Sequence, residues 1–97
     1  MSKSLIPKLQ AIKQRYNEVA DLIIQPDVIT DQKRYSSLNK EYSDLGKIVA
    51  VFDQYMSSLN SIQEADEIIA DGSDKDMVDL AKMEKQEAID RIPQLEE

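Results

Sequence analysis

Between Tyr35 and Leu59 the apolar residues fall at Tyr35, Leu38, Tyr42, Leu45, Val49, Phe52, Met56 and Leu59. The steps alternate three and four, the a/d spacing of a helix that packs lengthwise against other helices. Such a seam confines the chain to rods laid side by side. Function then belongs on the outer walls of those rods rather than in a pocket.

The flanking segments read the same way. Leu5, Leu9, Ile12, Tyr16, Val19 and Ile23 again step four and three, giving a first helix over about 5–24. Ser4 can cap it, and Pro7 falls in the first turn, where a missing N–H breaks no helical bond. Pro26 disfavours helical geometry at Gln25, so Gln25-Pro26-Asp27-Val28-Ile29 reads as a linker. Thr30 is the expected cap of a second helix over 31–70, with Asp31 in its first turn. At 1.5 Å per residue that rod is roughly 60 Å long. Past Leu59 its seam drifts through Ile62, Ala65 and Ile69, a stammer in the heptad.

Gly46 lies inside the long rod, at a cost of about 1 kcal/mol relative to Ala; a close helix crossing would explain it, and so would simple tolerance. Asp71-Gly72-Ser73 reads as a helical hairpin, with Gly72 past the helix end, Ser73 as the next cap and Asp76 completing the capping box. A third helix over 74–92 would use Met77, Leu80, Ala81, Ala88, Ile92 and Leu95, with Glu84 where an apolar residue is expected. Pro93 should end or kink it, or begin another helix in the last five residues. The expected fold is all-α: one domain over 1–97, an antiparallel bundle of three helices with one long central helix, a helical hairpin and coiled-coil-like packing.

Charge narrows the partners. Residues 1–48 carry eight Lys/Arg and six Asp/Glu, a net of +2, whereas residues 49–97 carry four and thirteen, a net of −9. So acidic a second half is a poor general nucleic-acid binder, and DNA is not an expected partner. The N-terminus shows no apolar signal region, and the longest strictly apolar run, Ile48 to Phe52, is far below the ~20 residues a membrane span requires. No cysteine is present, which fits a reducing compartment. A cytoplasmic chain is expected.

Catalysis finds no footing. Without His or Cys, neither a Ser-His nor a Cys-His nucleophile pair can form, and the Glu-x-x-His pattern of di-iron bundles is missing. Gly46 and Gly72 are isolated, so no glycine-rich phosphate loop exists. No cofactor, metal or catalytic residue is expected.

Two surface features carry both a functional and a plain reading. Lys33, Lys40 and Lys47 recur every seven residues opposite the seam, with Arg34 beside them. They form either a contact for RNA phosphate or an acidic protein, or a solvated helix back. Glu64, Asp66, Glu67, Asp71, Asp74, Asp76 and Asp79 surround the hairpin against Lys75 alone. That acidic tip either docks a basic protein or solubilises the turn. Tyr16, Tyr35 and Tyr42 lie on seams and read as core rings with hydroxyls at the rim.

The lettering Val28-Ile29-Thr30-Asp31-Gln32-Lys33-Arg34-Tyr35-Ser36-Ser37-Leu38-Asn39-Lys40-Glu41-Tyr42-Ser43-Asp44-Leu45 resembles the N-terminal helical domain of bacterial peptide chain release factors, most of all the type reading UAA and UAG. Tyr16-Asn17-Glu18-Val19, the Pro26-Asp27 link and the acidic hairpin support the likeness, which covers essentially the whole chain. The resemblance implies a parent that recognises stop codons and triggers hydrolysis of peptidyl-tRNA. No Gly-Gly-Gln occurs here, and none of Pro7, Pro26 and Pro93 begins a Pro-x-Thr tripeptide, so those family residues have no positions in this chain. It further implies contacts with the stalk base of the large ribosomal subunit and with a translational GTPase. The Pro93-Gln94-Leu95-Glu96-Glu97 stop reads as the edge of a fragment of a longer protein. The rival reading is a free-standing helical adaptor or coiled-coil module. In either case an exposed seam on the long helix would let the isolated domain self-associate.

Overall fold

A computed structural model of the chain describes residues 5–95. Four helices follow one another: α1 (Ile6–Leu22), α2 (Pro26–Ile29), α3 (Gln32–Asp71) and α4 (Lys75–Leu95). Among the described residues there is no strand, so the all-α class and the long central helix hold. The count is four rather than three, because the expected linker coils into the single turn α2. Pro26 occupies its first turn, where the fixed φ suits a helix and the absent N–H is no loss. Thr30 closes that turn instead of opening α3: its N–H reaches the Pro26 carbonyl at 3.1 Å and its hydroxyl donates to the same oxygen at 3.0 Å. The cap of α3 is Asp31, whose Oδ1 accepts from the Arg34 N–H at 3.2 Å.

The described residues divide into two compact units, the boundary falling between Val51 and Phe52. In the first, Val19 of α1, Val28 of α2 and Leu38 of α3 form the core, with Leu22, Ile23 and Tyr42 packed against it. Val28 is fully buried, so the short α2 plugs the end of the α1–α3 pair. Arg15 meets Glu41 with both prongs, at 2.8 Å and 2.9 Å. Tyr16 stacks on Tyr42 with centroids 4.7 Å apart and planes 10° from parallel. The same Tyr16 ring lies over Gly46, where an added Cβ would stand 3.4 Å from Cε2. Partners on α1 fall in number as those on α3 rise, so the two helices run antiparallel. Ser4, the expected cap of α1, lies outside the described residues; Pro7 does sit in the first turn. The helix ends at Leu22, two residues early, with Ile23 as its cap. Tyr35 is 39% exposed, so the seam of α3 begins at Leu38.

The second unit is a hairpin of the end of α3 and α4. Gly72 turns it with φ of 64°, and its N–H donates to the Ile68 carbonyl at 3.1 Å. Ser73 does not cap α4, because its hydroxyl is held by the Asp71 carboxylate. Asp74 does so, its Oδ1 accepting from the N–H groups of Asp76 at 3.0 Å and Met77 at 3.3 Å. Phe52, Tyr55, Ser58 and Ala65 are buried on α3, and Ala81 and Ala88 on α4. Pairing is antiparallel, with Arg91 donating to Ser58 Oγ at 3.4 Å and Lys85 bridging Asp66 at 2.6 Å. α4 runs through Pro93 to Leu95, past the expected end at 92. Pro93 stands in the last turn, where its ring costs a single backbone bond.

Two further expectations shift. Met77 and Leu80 are 48% and 50% exposed, and the inner face of α4 follows Val78, Ala81, Lys85, Ala88, Ile92 and Leu95. Lys85 fills the step that needs an apolar residue by laying its stem across the interface and pairing its head. On α3, Val49, Phe52, Tyr55 and Ser58 are buried at successive steps of three, each turning the stripe by about 60°. The drift of the seam therefore starts at Phe52, ahead of Leu59.

Candidate contact surfaces

α3 sets out Lys33, Lys40 and Lys47 on its exposed side. Steps of seven keep them within an arc of about 40°, away from Leu38 and Val49. No described residue forms an ion pair with any of the three. Arg34 behaves differently. Its guanidinium stands 3.6 Å from the Asp27 carboxylate, so it ties α3 to α2 instead of joining the row. Ile48 and Val51 are also exposed, directly beside Lys47 in sequence and one turn on.

The seven acidic residues of the tip are all exposed, but four already have partners. Asp66 holds Lys85, Glu64 accepts from Asn60 at 3.2 Å, Asp71 holds Ser73, and Asp74 caps α4. The carboxylates of Glu67, Asp76 and Asp79 have no bonded partner among the described residues. Much of this cluster is therefore local chemistry of a turn. Among the described residues, no group of three or more acidic side chains is arranged to hold a metal ion.

Electrostatic tuning is clearest where α1 meets α3. The hydrogen bond from Arg15 holds the Glu41 carboxyl below its ordinary range, and the Arg15 guanidinium is pushed up in turn by its hydrogen bond to Glu41. The hydrogen bond with Tyr42, then burial, push the Tyr16 phenol up. These groups fasten the first unit and offer no reactive arrangement.

One feature escaped the sequence reading. Met77, Leu80, Glu84, Glu87 and Arg91 form a second three-four stripe on α4, outside the one that packs on α3. Ser61, Glu64, Ile68 and Asp71 form its counterpart on α3. Two grooves lie between these stripes and share Ile68, one of ≈270 Å³ reaching Met77 and one of ≈180 Å³ reaching Glu84 and Glu87. The signal is present in the spacing, but spacing alone puts Met77 and Leu80 equally well on the inner face.

Fold and surfaces together define an all-helical domain that offers charged outer walls. Residues 12–97 match the PCRF domain, and the chain belongs to that family. It is 56% identical over 93 residues to Peptide chain release factor 1 of Flavobacterium psychrophilum, covering 96% of this chain and 26% of that protein. The figures are the same for Peptide chain release factor 1 of Flavobacterium johnsoniae. For that of Bacteroides fragilis the identity is 42% over 96 residues, covering 99% of this chain and 26% of the relative. The chain thus spans about a quarter of the length of the curated relatives it matches. No solved structure matches it. The family that residues 28–45 resemble is the family found. No helix among the described residues is long and apolar enough to cross a membrane.

Proposed function

We propose that this chain is one domain of a longer translation termination factor and that its work is contact, not catalysis. The supporting observation is membership of the PCRF family at 56% identity across nearly all of the chain. Stop-codon reading and peptidyl-tRNA hydrolysis are assigned to other parts of such a factor, since this sequence holds no reactive constellation. The row Lys33, Lys40 and Lys47 faces the ribosome at the base of the large-subunit stalk. Arg34 steadies the row's near end through Asp27. The acidic hairpin, through Glu67, Asp76 and Asp79, meets a translational GTPase. The setting is the cytoplasm, where ribosomes work.

The row is supported by its aligned charges, which form no ion pair among the described residues and suit phosphate far better than the acidic second unit does. Pelleting of the chain with ribosomes over a salt series tests it. Lys33→Glu, Lys40→Glu and Lys47→Glu together should weaken association by about tenfold or more and flatten its salt dependence. Unchanged association and an unchanged salt slope would remove the row from the contact.

A further inference from the structure

We infer that the outer groove of the α3–α4 hairpin seats a basic amphipathic helix of a partner protein. The proposal does not depend on the lysine row or on ribosome contact. α4 carries two seams: the inner one is consumed by α3, while the outer one begins with Met77 and Leu80, each about half exposed. One turn further it becomes Glu84 and Glu87. Across the groove, Ile68 supplies the facing apolar surface, with the carboxylate of Glu67 beside it, while Arg91 at the far end of the second groove is turned to Ser58 Oγ. Met77 and Ile68 line one groove between the helices, and Leu80 follows Met77 three positions on along the outer stripe of α4, where side chains so spaced are neighbours. Two antiparallel helices with parallel unpartnered seams form the usual seat for a third.

Charge decides what that third helix is. Residues 52–97 hold thirteen Asp/Glu and four Lys/Arg, so a second copy of this hairpin meets like charge, and RNA phosphate does too. A helix with aliphatic anchors at i, i+3 and i+7 and Lys or Arg on its flanks satisfies the apolar residues and the carboxylates together.

The probe is a fluorescently labelled synthetic peptide with leucines at i, i+3 and i+7 and lysines on both sides, titrated against the full chain by anisotropy. Saturable binding is expected. Met77→Ser with Leu80→Ser should weaken it about tenfold or more, and so should a peptide carrying serines for its leucines, which leaves the protein untouched. Glu84→Gln with Glu87→Gln should weaken it and reduce its salt dependence. Equal binding of the serine peptide, or indifference to the Met77/Leu80 pair, would show charge attraction alone and overturn the proposal. So would light scattering that finds the chain dimeric through this groove.

Discussion

Arg15 and Glu41 show how a single pair fastens the first unit. The Glu41 carboxyl is held below its ordinary range by its hydrogen bond from Arg15, so folding favours its charged form. The stability this supplies is complete above the unfolded carboxylate range and is lost as pH falls through the lowered folded value. Glu41→Gln should therefore cost Tm at neutral pH and converge with the parent toward acid; a constant gap across the titration would rule out this role. The two glycines are expected to answer oppositely. A Cβ at Gly46 meets Tyr16 at an ordinary distance of 3.4 Å, so Gly46→Ala should gain up to about 1 kcal/mol in urea unfolding through helix propensity. Gly72 is left-handed at φ of 64°, and Gly72→Ala should lose about 1–2 kcal/mol. The turn at Gly72 was legible from the letters; at Gly46 the letters left a close crossing and simple tolerance open, and the ordinary contact with Tyr16 favours tolerance. The stack of Tyr16 on Tyr42 was not legible, because periodicity places rings on a face without saying which ring they meet.

At the scale of elements, the caps were legible as a class and missed by one residue. Thr30 and Ser73 are good cap types, yet each hydroxyl is claimed elsewhere, by the Pro26 carbonyl and the Asp71 carboxylate. Asp31 and Asp74, next in line, take the role. Asp31→Ala and Asp74→Ala should each cost about 1 kcal/mol of stability in denaturant melts, whereas Ser73→Ala should cost a few tenths. Equal losses at Ser73 and Asp74 would contradict this capping. The face of α4 was misjudged for a related reason. Its two seams both run three and four, and Met77 with Leu80 looks more apolar than Val78 with Lys85. Only the Asp66 carboxylate, 2.6 Å from the Lys85 ammonium, makes a lysine acceptable on the inner step. That partner is nineteen positions away in sequence, beyond what spacing can reveal.

For the whole molecule, rods and family were readable because seams and lettering are properties of the chain itself. The walls were harder. Seven acidic residues looked like one surface, but bonds to Lys85, Asn60, Ser73 and the start of α4 occupy four of them. Four basic residues looked like one stripe, and Arg34 leaves it for Asp27. Sequence lists charges, whereas contact depends on which charges remain unspent after folding. The central claim, that this PCRF chain serves a termination factor through its outer walls, is tested most directly by transplantation. The chain replaces the matching quarter of Peptide chain release factor 1 from Flavobacterium psychrophilum, and peptide release is measured on ribosomes halted at a stop codon. Release close to the parent's rate, diminished when Lys33, Lys40 and Lys47 are reversed to Glu, is the predicted result. A folded chimera that releases no peptide, or one indifferent to the three reversals, would contradict the account.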